Sequence, residues 1–460
     1  MLAVAADARA QGAPQQCDLV FTNTPETRVT LVKQVSGQYN TFSGGGVVAH
    51  CQNQDVTLKA DSAEYYSDLA TVLLIGNVHY TETRAKVDSR RMTYYQNEQR
   101  LLAEGDVDAV LPSGSTMTGP RAEYFRAIPN VRPRTLLNAT GRPHISLVQT
   151  DSTGKPAEPV KVVATTVKMD GDSLVYASGE VEIDRVDISA RSDSAFLDGS
   201  REFARLMRAP IVRGKGTRPF TLQGSVIDVY SKQKQLQRVV AAQKAVAVSD
   251  SLRLTSDSID LRVTANRLDR AFAWGKSRAH AVTPDRDILA DSIDVFMPAQ
   301  RVREVRAVRG AYAQSAPDTA KIRSGERDWL RGDTIVALFD SVPTADTTKR
   351  PRVREVVASG AAQSFYHMAS RAGDPKRPAI NYVRGREITV AFQDQAVNTV
   401  TVLDKAAGLY LEPSDSTRAA VAGPGAAQPT AGTPTRGTTR TPARRGRVPR
   451  PPTTPPTRSP

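Results

Sequence analysis

The stretch Leu58-Lys-Ala-Asp61-Ser-Ala-Glu-Tyr65-Tyr66, followed after a polar turn by Val72-Leu-Leu74-Ile-Gly76-Asn-Val78-His-Tyr80, is repeated almost at once. The second copy reads Val87-Asp88-Ser89-Arg-Arg-Met-Thr-Tyr94-Tyr95, a polar turn, then Leu101-Leu-Ala103-Glu-Gly105-Asp-Val107-Asp-Ala109. Aligned on Asp61 and Asp88, the step is 27 residues, the size of a stacked repeat unit. Each copy is a strand, a turn and a strand, with no room for a helix. A period of two puts Val72, Leu74, Gly76, Val78 and Tyr80 on one face, and Leu101, Ala103, Gly105, Val107 and Ala109 on the same face of the next copy. One hairpin cannot bury such a face, so the copies must stack.

The repeat continues downstream. A third copy, Met117-Thr-Gly119-Pro120-Arg-Ala-Glu123-Tyr124-Phe125, leads into a proline-rich stretch from 128 to 143, expected to be a crossover or a boundary. Gly179, in Val175-Tyr-Ala177-Ser-Gly179-Glu-Val181, falls where Gly76 and Gly105 fall. Beyond residue 220 five first strands resemble one another, among them Asp257-Ser-Ile259, Asp291-Ser-Ile293 and Asp333-Thr-Ile335. Five second strands do the same, from Leu236-x-Arg238-Val239-x-Ala241 to Val397-x-Thr399-Val400-x-Val402. The recurrent Asp-Ser/Thr is read as a turn-closing pair at the start of a strand, whose side chains bond nearby backbone N–H groups. Upstream, Gly44-Gly45-Gly46 suits a strand bulge. No Gly-Lys-Ser/Thr follows it, which removes a phosphate-cradling loop.

The chain of 460 residues has a hydrophobic fraction of 40%, with valine, threonine and tyrosine in short alternating runs that favour strands with one solvated face. No apolar run reaches the roughly 18 residues of a membrane-spanning helix. The formal charge is +14. Eight arginines against one aspartate from Pro413 onward supply half of it, which leaves a weak basis for nucleic-acid binding. Residues 1–16, with Ala8 and Ala10 in an A-x-A arrangement, are expected to be the remnant of an export signal. Cys17 and Cys51 can close one disulfide in an exported protein, or remain free thiols in a cytosolic one. Residues 412–460, rich in proline, threonine and arginine, are expected to be disordered.

Chemistry is poorly advertised. His50, His79, His144, His280 and His367 form no paired metal motif, no Gly-x-Ser-x-Gly occurs, and the aspartates recur at repeat positions as structural residues do. A groove of acids, as in a β-helix polysaccharide-cleaving enzyme, is the enzymatic alternative. No catalytic residue, metal or cofactor is expected.

The pattern Asp61-Ser-x-x-Tyr65-Tyr66…Gly76-Asn77-Val78, with its second copy ending Ala103-Glu-Gly105-Asp-Val107, resembles the organic-solvent-tolerance (OstA-like) family of lipopolysaccharide-transport proteins. Asp257-Ser-Ile, Asp291-Ser-Ile and Arg352-Val-Arg-Glu-Val356 resemble the longer proteins of that family, and the likeness covers roughly residues 40 to 411. It implies an all-β fold of stacked antiparallel strand-turn-strand units, a β-jellyroll or β-taco open along one side. It also implies a periplasmic bridge that holds the acyl chains of lipopolysaccharide or a related glycolipid and joins other jellyroll transport proteins, or an outer-membrane assembly protein, edge to edge. Val72, Leu74, Val78, Tyr80, Leu101, Ala103 and Val107 are then expected to line the lipid channel. Three departures stand out: about ten units, no outer-membrane barrel segment, and the basic tail. Two tandem jellyroll segments, 17–150 and 160–411, are expected. The alternative is an envelope scaffold in which the same rows form a dry core.

Overall fold

The computed structural model describes residues 17–413, apart from 18, 53, 151–155, 217, 250–251, 318–321, 341–350, 372 and 394–395. The expected signal remnant and the basic tail beyond Pro413 lie outside the described residues. Among those described there is no α-helix; the chain is a succession of antiparallel strands, many of them pairing with the next and the shorter ones with a strand two or three further along. Val56–Tyr66 pairs with Thr71–Glu82, that strand with Ala85–Tyr95, then Arg100–Val110, then Thr116–Phe125. Each of these ladders slips at its middle, as between Ile75 and Val78 or Glu104 and Val107. The slip makes a corner that divides each of these strands into two arms.

The arms collect into two facing sheets. Residues 56–59, 78–82, 85–88 and 107–110 pair with one another in the first sheet, and 62–66, 71–75, 91–95 and 100–104 in the second. Phe21 of the first sheet meets Tyr65 of the second with ring centroids 6.1 Å apart, and Tyr80 meets Tyr124 at 6.3 Å. One cluster of buried apolar side chains runs between the sheets from Val47 to Val390. Each large member contributes about 1.5–3 kcal/mol by leaving water.

The corners explain the glycines. Gly76 (φ 77°) and Asn77 (φ 43°) form a two-residue left-handed bulge, as do Gly105 and Asp106, and Gly179 and Glu180. A side chain at Gly76 would also collide with the Asp61 carboxylate across the corner. Gly76→Ala is therefore expected to lose about 1–3 kcal/mol of stability in urea titration. Gly45 and Gly46 form the corresponding bulge of Tyr39–Cys51, as expected for the triple glycine.

Two expectations are corrected here. Leu58 and Val87 both pair with Tyr80, and Lys59 and Asp88 both pair with His79. The true step is thus 29 residues, with Asp88 equivalent to Lys59, and Arg90 to Asp61. Nor do the Asp-Ser pairs open strands: Asp61, Asp257 and Asp291 sit inside Val56–Tyr66, Leu252–Thr264 and Arg286–Phe296, at their corners. There they tie neighbouring strands together. Asp61 accepts a hydrogen bond from Asn77 at 2.9 Å, and Asp257 accepts the Ser277 backbone N–H at 2.7 Å. Elsewhere an Arg-acid pair plays this part, as in Arg208–Asp193 and Arg142–Glu180, each at 2.9 Å.

The ladder is also uninterrupted where two segments were expected. Leu136–Thr140 pairs with Thr116–Phe125 on one side and Thr166–Asp170 on the other. His144–Thr150 pairs with Pro156–Val163, which pairs with Leu174–Asp184. The prolines occupy turn and corner positions: Pro129 lies inside the turn closed by the Ile128–Arg132 bridge, Pro133 follows it, and Pro143 follows the Gly141-Arg142 corner. The described residues, 17–413, form one compact unit.

Candidate functional site

The residues expected to line a channel all point between the sheets. Val72, Leu74, Val78 and Tyr80 are 0% exposed, and Leu101, Ala103 and Val107 are 1% exposed. Two bulge residues separate Leu74 from Val78, and an even insertion preserves the alternation, so both arms turn the same row inward. The packing is tight. A void of about 10 Å³ lies among Leu111, Met117, Leu137 and Ile145, room for one water molecule at most.

The sheets are joined by the chain along the corner line. Along the opposite side, among the described residues, the strand tips meet through hydrogen bonds that each use at least one side chain, a seam closed by polar latches. Glu82, at the tip of the first sheet, accepts Arg126 Nε at 2.7 Å and the Tyr124 hydroxyl, both from the second. Arg126 also donates to Gln54. A second latch is built on Arg185 and Asp187: Arg185 Nη1 donates to Ser231 Oγ at 2.8 Å, and the backbone N–H of Leu236 donates to Asp187 at 3.1 Å. In a third, Arg218 Nη1 donates to the Gln300 carbonyl at 3.1 Å and Gln300 Nε2 returns a bond to the Arg218 carbonyl at 3.0 Å. Cys17 and Cys51, which the sequence leaves open, form a disulfide that fastens the entry to Leu19–Asn23 onto the end of Tyr39–Cys51.

The first latch places polar groups in an apolar interior. Burial, and then the Glu82 carboxylate, raise the phenol pKa values of Tyr80 and Tyr124, and burial raises that of Tyr94. The Tyr80 hydroxyl has no hydrogen-bond partner among the described residues. Unfolded tyrosines release their protons near pH 10, whereas the folded ones hold them to higher pH. Stability is therefore whole below pH 10 and falls as pH rises above it, by about 1.4 kcal/mol per unit for each such tyrosine. Tyr80→Phe removes an orphaned hydroxyl. It is expected to be neutral or stabilising by about 1 kcal/mol at pH 7, and to shallow the alkaline fall measured by urea titration.

Among the described residues no three His, Cys, Asp or Glu side chains gather as metal ligands. One constellation went unread in the sequence: Ser324, Asp328 and His367 are hydrogen-bonded in a row. They lie 39 and 43 positions apart at the tips of the first sheet, and no local spacing signals them.

No protein-family model matches the chain, and no curated protein matches it significantly.

Proposed function

We propose that this protein is a periplasmic lipid-binding bridge of the Gram-negative envelope, similar to the OstA-like family, carrying lipopolysaccharide or a related glycolipid towards the outer membrane. The observation that carries this proposal is the seam. Opening it separates the two sheets by breaking side-chain latches and apolar contacts while leaving the strand ladders intact. Acyl chains entering the gap would replace the lost contacts. At roughly 0.8 kcal/mol per buried CH₂, a twelve-carbon chain recovers on the order of 10 kcal/mol. The Cys17–Cys51 bridge fits an oxidising compartment.

The ends of the stack support edge-to-edge joining. Among the described residues Leu19–Asn23 and Arg28–Lys33 pair only with Tyr39–Cys51, and Ala396–Leu403 and Ala407–Leu411 only with Ala379–Gln393. Both edges expose apolar side chains, including Val29 and Leu31 at one end and Leu409 and Leu411 at the other. In the first sheet Leu19–Asn23 runs towards the corner and Ala407–Leu411 away from it; in the second sheet the directions reverse. The far edge of one stack thus offers the near edge of another an antiparallel partner in both sheets at once.

The tight packing of the interior favours a second reading, an envelope scaffold with a dry core. Titrating fluorescent lipopolysaccharide into delipidated protein separates the two. A carrier binds at micromolar concentration or below, and a scaffold does not.

A further inference from the structure

We propose that Ser324, His367 and Asp328 form an acyl-transfer site that hydrolyses carboxylic esters, independently of any lipid held between the sheets. Ser324 Oγ lies 3.1 Å from His367 Nε2, and His367 Nδ1 lies 2.7 Å from Asp328 Oδ1. The backbone N–H of His367 donates to the same Oδ1 at 2.8 Å, so one carboxylate oxygen fixes both the residue and its ring. A carboxylate at Nδ1 holds the proton there and leaves the Nε2 lone pair facing the serine hydroxyl, the tautomer that a general base requires. The His367 side chain is 2% exposed, with the Phe365 ring edge-on at 5.2 Å. The imidazole is therefore held in one orientation, as catalysis demands.

The serine is placed differently. It lies half-buried in the turn before Asp328–Phe339, and the Arg323 N–H bond to the Pro375 carbonyl, 2.7 Å, anchors that turn. The next residue, Gly325, is exposed, with nothing within 4 Å of where a side chain would start, so the turn lies at the surface. The backbone N–H of Glu326 donates to Ser324 Oγ at 3.1 Å and holds the hydroxyl within the turn.

The step balances without a cofactor. Ser324 Oγ attacks the ester carbonyl as its proton passes to His367 Nε2, and Asp328 stabilises the imidazolium. The carbonyl–alkoxide bond breaks, His367 protonates the departing alcohol, and an acyl-serine remains. Water then adds with His367 taking its proton, the acid leaves, and Ser324 is restored. Ser324 and His367 touch the reacting atoms, and Asp328 is a positioning residue. Each oxyanion donor is worth about 10²–10³ in kcat. A nucleophile and general base without that donor suit esters with good leaving groups rather than amides.

Treatment of the full-length protein with a fluorophosphonate probe, followed by peptide mass spectrometry, tests this. The expected result is an adduct on Ser324 of the folded protein, with labelling at least 100-fold slower in His367→Gln. Since His367 is buried and that variant can fail to fold, Ser324→Ala is the second arm. It should lose at least tenfold of the hydrolysis of p-nitrophenyl butyrate with an unchanged circular-dichroism spectrum. Asp328→Asn should lower kcat and leave KM unchanged. No adduct at Ser324, or equal hydrolysis by folded Ser324→Ala, overturns the proposal.

Discussion

Arg126→Met is expected to cost about 3–5 kcal/mol of folding free energy, because it strands a buried carboxylate rather than merely removing a contact. In the ion pair the side chains of Arg126 and Glu82 are 15% and 6% exposed, so neither is well solvated. Without the guanidinium, Glu82 must take up a proton or draw water into the apolar interior, and either response loosens the seam. The paired change Glu82→Leu with Arg126→Met removes both charges and should recover most of the loss. A urea-denaturation cycle over the two single variants and the double variant measures the coupling. A double variant as unstable as Arg126→Met alone would show that Arg126 acts through its other partner, Gln54.

Breaking the Cys17–Cys51 disulfide has an expected cost of similar size. The bridged residues are 34 positions apart, and a loop of that length restricts the unfolded chain by about 3–4 kcal/mol. Its position directs the effect. The bridge fastens the approach to Leu19–Asn23, which among the described residues has a single neighbour, Tyr39–Cys51. In Cys17→Ser with Cys51→Ser the first rung should exchange its amide hydrogens early while the rungs beyond Val56–Tyr66 stay protected. Uniform loss of protection would show that the bridge supports the whole stack rather than its edge.

Much of this architecture was legible in the sequence, for a physical reason. Alternation survives each corner because the bulge at Gly76-Asn77 adds two residues, so Val72, Leu74, Val78 and Tyr80 read as one row and fold as one. The repeat step was misread because Asp88 mimics Asp61 while standing in the place of Lys59; the tyrosine pairs Tyr65-Tyr66 and Tyr94-Tyr95 are the true markers. Pro129 and Pro143 imitate a linker, yet each is spent at a turn or corner where no ladder N–H is needed. The latches were illegible. Glu82 and Arg126 lie 44 positions apart, and a lone charge at a strand tip looks like any solvated residue until the second sheet covers it. Asp328 and His367 were hidden in the same way, brought together by the pairing of Asp328–Phe339 with Val353–Met368, and Ser324 joins them through the turn anchored by Arg323 on Pro375.

The central claim is that the apolar row between the sheets is a lipid site closed by a side-chain seam. Its most direct measurement is photo-crosslinking with benzoylphenylalanine placed singly at Leu74 or Leu101, facing inward, and at Leu73 or Glu104, on the opposite face, in cells making lipopolysaccharide. A lipid adduct from Leu74 and Leu101 and none from Leu73 and Glu104 is the predicted result. Adducts confined to Leu73 and Glu104 would contradict it.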